Sequence, residues 1–323
     1  MKFRKLGGTG FNVSEIAQGL WGMGSWPDSN DEESRQALQF STDLGCNFFD
    51  SAWAYGEGRS DGLLGEALRC NQNKRLYAAS KVPPLNRKWP GSAKDAYTDV
   101  FPSKHVFQYA DLVRQKLQVD AIDLLQFHVW DDSWTDHKQF QETVSRLKRD
   151  GLVRAFGLSL NRWEPANGIR ALRTGLVDTV QVIYNIFDQD PEDELFPVCR
   201  ELNIGVIVRV PLDEGSLGGK LTAETQFAKG DWRAGYFNPE NLSATLERVK
   251  RLKAILPGSM TLPEMALRFV LSNTDVSTVI VGMRKPEHVR ANLAISEAGP
   301  LDGNLLAELK KHRWNRKPTS WSN

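Results

Sequence analysis

Eight short apolar runs, separated by longer stretches with the apolar spacing of amphipathic helices, limit what this chain can fold into. A short apolar run bounded by turn residues marks a strand buried on both faces, and a helix between two such strands is the crossover that parallel strands require. The runs are Ile16 to Leu20, Asn47 to Asp50, Leu76 to Ser80, Ile122 to Phe127, Ala155 to Leu158, Thr179 to Val182, Gly205 to Val208 and Thr278 to Val281. Helical spacing covers Asp31 to Leu44, Asp61 to Arg69, Ser103 to Leu117, Asp136 to Arg149, Pro191 to Leu202, Leu262 to Leu271 and Pro286 to Ile295. Asp31, Glu32 and Glu33 open the first of these helices; Gly45 and Gly151 follow the first and the fourth, as charge at the helix dipole and a left-handed terminator require. The expectation is an α/β chain closed into a parallel (β/α)8 TIM barrel, one domain over residues 1–323 with no dividing linker.

Two stretches depart from strict alternation. The opening LGGTGFNV reads as the turn of an N-terminal β-hairpin, placed to plug the bottom of the barrel. After the seventh strand a long loop, Asp213 to about Gly258, carries DEGSLGGK, Trp232 and Arg233, and an extra helix around Leu242 to Leu256. Loops of this length usually cover a functional site.

Charge narrows the partners. Lys and Arg total 41 against 40 Asp and Glu, with no long block of either sign, so neither nucleic acid nor a membrane surface is expected as a partner. Cys46, Cys70 and Cys199 are odd in number and lack CxxC or metal-ligand spacing, which reads as buried free thiols in a reducing compartment, with no metal. Asn12, Ser14, Glu15 and Gln18 interrupt any apolar leader, and no window nears the roughly 20 apolar residues of a membrane span. The expected location is the cytoplasm, and the expected partner is a small molecule. The sequence leaves the oligomeric state open.

In parallel barrels chemistry sits at the carboxyl ends of strands. Asp50, Lys81 and His128 fall at the ends of the second, third and fourth strands, and Tyr55 lies just beyond Asp50. Singly, these read as well as a helix cap, a solvated strand end, a core histidine and a packed loop aromatic. Together they form an acid–base set. A phenol with an ordinary pKa near 10 donates a proton poorly unless its phenolate is stabilised, which a neighbouring Lys81 ammonium held by Asp50 would do by lowering that pKa. His128 would orient a carbonyl and help relay the proton.

The segments NFFDSAWAYGEGRSDGLLGEAL, SKV and LLQFHVW resemble the signature segments of the aldo-keto reductases. GLVRAFGLS, VDTVQVIYN, GVIVRVPLDEGSLGGKLT and VIVGMRKPEHVRANL extend the likeness, in order, over nearly the whole chain. The resemblance implies carbonyl reduction with a nicotinamide cofactor and a catalytic tetrad of Asp50, Tyr55, Lys81 and His128. No strand leads into the GxGxxG of a dinucleotide-binding sheet; GMGS at Gly22 and GEGRSDG at Gly56 have the wrong spacing. The family instead binds its cofactor extended across the barrel mouth. That implies Ser159 and Gln181 on the carboxamide, Leu212, Gly215, Ser216 and Leu217 along the pyrophosphate, and Gly22, Gly282, Arg284, His288 and Asn292 among the remaining contacts.

Three positions differ from the family pattern. Leu160 follows Ser159 where Asn is frequent, leaving Asn161 as its substitute; Arg209 stands where an aromatic commonly stacks on the nicotinamide; Ala291 replaces a frequent acidic residue beside Asn292. A guanidinium plane also stacks on a ring. Arg284, Lys285, His288 and Arg290 at the start of the last predicted helix make an anion site suited to a 2′-phosphate, so NADPH is expected in preference to NADH. Trp21, Trp53 and Trp130 lie on loops at the reactive end, where they would wall an apolar pocket or stack on a sugar-like carbonyl substrate, or serve packing alone. Two competing classes remain. One is a Schiff-base lyase such as an aldolase acting through Lys81, which would leave Tyr55 and His128 without a role; the other is a non-catalytic cofactor-sensing subunit. The tail HRWNRKPTSWSN either folds back over the pocket or extends freely.

Overall fold

A computed structural model describes residues 1–24, 26 and 28–316. Its strands are β1 (Phe3–Lys5), β2 (Asn12–Ser14), β3 (Ile16–Gly19), β4 (Phe48–Asp50), β5 (Tyr77–Val82), β6 (Ile122–Phe127), β7 (Val153–Ser159), β8 (Thr179–Ile183), β9 (Gly205–Arg209) and β10 (Val276–Gly282). β3 to β10 are the eight apolar runs of the sequence. Each pairs in parallel with its neighbours, and β10 returns to β3, closing the barrel. Several strands run one or two residues past the apolar stretch, because ladder pairing continues into polar strand ends such as Lys81 and Ser159.

The hairpin forms as expected, with β1 and β2 antiparallel. Leu6, Phe11 and Val13 pack with Ala17, Phe48, Tyr77, Ala79, Leu124, Ala155, Ile207 and Ile280, so apolar side chains of the hairpin and of seven barrel strands share one cluster. Gly7 allows the approach: its φ is +52°, and a Cβ there would lie 2.2 Å from the backbone nitrogen of Gly205. A larger core lies between the strands and the surrounding helices.

The expected helix Pro191 to Leu202 divides into a 3-10 turn, Asp190–Glu192, and a helix, Leu195–Leu202. The helix of the long loop spans Pro239–Ala254, starting earlier than its apolar pattern because Asn238 caps Asn241 and Pro239 supplies a preset first residue. A further helix, Gly303–Lys310, capped by Asp302, was not legible from spacing. Cys46 and Cys199 are buried, and burial pushes their thiols up to about 11 and about 12. Cys70 corrects the expectation of three buried thiols: it ends the helix Arg59–Cys70 on the exposed surface. No helix among the described residues is long and apolar enough to cross a membrane.

Candidate active site

The barrel brings the four predicted polar residues together. Asp50 ends β4, Lys81 lies near the end of β5, His128 follows β6, and the β4 loop returns Tyr55 over them. Lys81 Nζ donates to Asp50 Oδ2 at 2.6 Å and to the Ser51 carbonyl at 2.8 Å. Asp50 Oδ1 accepts from Gln181 Nε2 at 2.8 Å and from Gln126 Nε2 at 3.4 Å, so donors from three other strands fix the carboxylate. Lys81 Nζ is 5.1 Å from the centre of the Tyr55 ring, and the His128 imidazole meets that ring edge-on at 5.7 Å between centroids.

Burial governs the electrostatics. It depresses the Lys81 pKa, but Asp50 and Tyr55 outweigh it and hold the ammonium above its ordinary value. Burial raises the Tyr55 phenol, and Lys81 only partly offsets this. The expectation that Lys81 lowers the phenol therefore holds for the direction of its own influence and not for the net result. Burial, followed by the charges of Lys81 and Arg209, pushes His128 well below 6.5, so the imidazole is neutral at neutral pH. Beneath the quartet lies Asp61, which sequence reasoning passed over as a helix start. Ser80 Oγ donates to it at 2.8 Å, and burial raises its carboxyl to about 6.

The implied cofactor positions fare unevenly. Ser159 pairs in register with Gln181, and both are buried at the mouth. Arg209 Nη2 donates to the Leu160 carbonyl at 3.0 Å while its Nε, also buried, has no partner among the described residues; burial lowers this guanidinium to about 10. Leu212 is half-buried, and Gly215, at φ +104°, would bring an added Cβ within 4 Å of Arg233 Nη1 alone. Gly218 and Gly282 are likewise uncovered. An orphaned buried donor and bare backbone at the mouth fit an elongated, phosphate-bearing dinucleotide. Ser216 instead donates to Asp213 Oδ2 at 2.6 Å, and the Leu217 side chain is wholly in the core, so these two face inward. Asn161 is spent on the neighbouring loop: its amide bonds both the nitrogen and the carbonyl of Gly91, and Glu164 as well, leaving no free substitute for the missing Asn. Gly22 is covered by Arg284, whose Cδ would lie 2.8 Å from an added Cβ. The Arg284 guanidinium is itself occupied by Asp28. His288 is exposed and Asn292 half-buried on the helix Pro286–Ala298, whereas Arg290 lies over the Phe40 ring.

Of the three predicted tryptophans, Trp21 alone meets the Tyr55 ring. It stacks on Tyr55 at 6.3 Å and reaches Trp232 of the long loop at 5.7 Å. Trp130 is fully buried against Phe140 and Trp134 with its indole N–H on Asp132, because the chain past β6 turns it into the layer between strands and helices. Trp53 donates to Glu57 and packs edge-on against Tyr109 of the helix Ser103–Leu117. Trp89, which the sequence did not single out, stands edge-on to His128 at 5.8 Å and is 48% exposed. Its only sequence signal was an apolar ring in a polar loop beside Pro90.

The long loop is pinned by buried charge. Arg162 pairs with Glu214, and Arg316 lies with its side chain fully buried between Asp213, at 2.7 Å, and Asp188, at 3.3 Å. Burial alone would depress the Arg316 guanidinium; the two carboxylates reverse the effect. The tail thus folds back as far as Arg316, and its predicted continuation from 317 to 323 lies outside the described residues.

A closed parallel barrel with a buried ammonium–carboxylate pair beneath a phenol is the framework of a barrel oxidoreductase acting on carbonyl groups. The family model described as Aldo/keto reductase family matches residues 15–313, and the chain belongs to that family. Its members use nicotinamide cofactors, and the protein is an NAD(P)-dependent oxidoreductase of carbonyl compounds. The chain is similar to a protein named NADH-specific methylglyoxal reductase of Escherichia coli, at 29% identity over 96% of this chain and 98% of the relative. It is 26% identical, over 93% of each chain, to one named probable voltage-gated potassium channel subunit beta of Oryza sativa. A solved aldo-keto reductase of Bacillus halodurans in its holo form superposes over the full length of both chains with a TM-score of 0.78 at 25% identity.

Proposed function

We propose that the protein is one catalytic barrel over residues 1–323 that reversibly reduces an aldehyde or ketone, sugar-like in character, to the alcohol, with Tyr55 as general acid. The observation that carries this reading is the buried Lys81–Asp50 pair directly beneath the Tyr55 ring. A bound nicotinamide cofactor supplies the hydride. The chain's own part is protonic and steric. Tyr55, kept neutral by burial, donates its proton to the carbonyl oxygen, and the fixed Lys81 charge stabilises the phenolate left behind. Neutral His128 meets the Tyr55 ring edge-on and orients the carbonyl beside it. Trp21, Trp89 and Trp232, each more than a third exposed, offer flat faces to a sugar-like substrate.

NADPH is the proposed cofactor in preference to NADH, on the strength of Arg284, Lys285 and His288 at the start of the helix Pro286–Ala298. Three free cysteines fit a cytoplasmic setting. Lys81 is poorly suited to Schiff-base chemistry, since Asp50 keeps it protonated and a protonated amine is no nucleophile.

The test is a screen of sugar, aliphatic, aromatic and α-oxo aldehydes and ketones, following reduced-cofactor absorbance with NADPH and NADH in turn, on wild type and Tyr55→Phe. Loss of the phenol is expected to lower kcat by about 10³-fold with cofactor affinity unchanged. Near-normal turnover in the variant would move the acid elsewhere. The potassium-channel relative supports a second reading, a cofactor-sensing subunit. Tight NADPH binding with no turnover across the whole screen would select it.

A further inference from the structure

The cation expected to receive a 2′-phosphate is already engaged. Arg284, between β10 and the helix Pro286–Ala298, donates through Nη1 to Asp28 Oδ1 at 2.8 Å and through Nη2 to Asp28 Oδ2 at 2.9 Å. The fork engages one N–H on each terminal nitrogen, so the end-on face of the guanidinium is held by a carboxylate while Nε keeps its donor. The rest of the side chain is held as well. It lies over Gly22, whose carbonyl accepts from Nη1 at 3.5 Å, and its guanidinium carbon is 5.2 Å from the centre of the Trp26 ring. Arg233 approaches the same ring at 4.6 Å and is neutralised by Asp231. Both arginines near Trp26 thus carry carboxylate partners.

Exposure gives the pair its direction. The Arg284 side chain is 25% exposed and that of Asp28 is 70% exposed. An anion arriving from solvent therefore meets a carboxylate in front of the guanidinium. The Arg284 hydrogen bond and charge, with Lys285 adding to them, hold that carboxyl below its ordinary value. Lys285 and His288 remain exposed nearby, so the site keeps positive charge while its best-shaped donor is taken.

We propose that Asp28 is a specificity-determining residue that limits the preference for NADPH over NADH, by occupying Arg284 and repelling the 2′-phosphate. The proposal rests on the reading that the adenosine end of the cofactor lies at the turn between β10 and the helix Pro286–Ala298. It predicts a variant with a sharper preference than the natural chain, which a cation that merely binds phosphate would not provide.

The experiment measures dissociation constants of binary complexes with NADPH and with NADH, by protein fluorescence, for the full chain and for Asp28→Asn, Asp28→Ala and Arg284→Ala. Both Asp28 variants are expected to tighten NADPH by about fivefold while NADH changes by less than about twofold, the scale of one exposed ion pair. Unchanged or weaker NADPH binding in both overturns the proposal; weaker binding would make Asp28 a residue that orients Arg284 for phosphate. Arg284→Ala separates the two levels. A selective loss of NADPH alongside flat Asp28 variants removes the proposal alone. Equal losses of both cofactors remove the adenosine-end reading and the proposal with it.

Discussion

Lys81 with Asp50, and Arg284 with Asp28, are ion pairs of nearly the same length, 2.6 and 2.8 Å, in very different surroundings. The first is 0% and 4% exposed, the second 25% and 70%. Coulomb attraction at equal distance is weak in water and strong where water is excluded, and breaking a buried pair leaves a charge with nowhere to go. The inner pair is therefore a fixed feature of the proposed reacting centre, suited to holding the Tyr55 phenol in one electrostatic state. The rim pair is exchangeable, and exchange is what a ligand-selecting residue needs. Contact geometry does not distinguish these roles; burial does.

The largest effect that would break this contrast is at the inner pair. Lys81→Met leaves Asp50 buried with only amide donors, and is expected to cost about 3–5 kcal/mol of stability in denaturant unfolding. The double variant Asp50→Asn with Lys81→Met should recover most of that loss; if it recovers nothing, the side-chain volume of Lys81 and not its charge is what matters there.

A smaller effect probes the floor of the same site. Asp61 titrates near 6 when folded and near 3.8 when unfolded, so its protonated form favours folding at low pH. Its contribution is present below the unfolded value and is lost as pH rises through the folded one. Relative to Asp61→Asn, wild type should lose about 1–3 kcal/mol between pH 4 and 6. A gap constant across that window would show that the carboxyl ionises as freely as in water.

The smallest effect is expected at the rim. Arg284→Ala should change unfolding free energy by less than about 1 kcal/mol, and 1 M salt, with its screening length of about 3 Å, should abolish the difference. A larger, salt-insensitive loss would place the rim pair in the same category as the inner one and erase the comparison.

Much of this was written locally in the chain. Apolar runs located all eight barrel strands, because a strand buried on both faces is predominantly apolar even where it carries an inward polar residue such as Gln126 or Gln181. Strand-end position identified Asp50, Lys81 and His128, since parallel pairing brings strand ends to one rim. Position alone did not say which way a ring turns. Trp21 and Trp130 both follow strands, yet one stacks on Tyr55 and the other is sealed beneath Phe140. Trp89 lay in a loop with no periodicity to place it. The bonds that occupy Asn161 and Arg284 reach Gly91 and Asp28, 70 and 256 residues away in sequence, and no local pattern records a bond of that span.

Arg316 carries a consequence for how the molecule is assembled. Its guanidinium is the counter-charge of Asp213, 103 residues earlier, and of Asp188, earlier still. A chain emerging from the ribosome completes β9 and the loop that follows long before that cation exists. Until then both carboxylates must stay hydrated, because burying them unpaired is prohibitive. The loop after β9 can therefore reach its charge-paired seating only with the C-terminal segment through Arg316 in place.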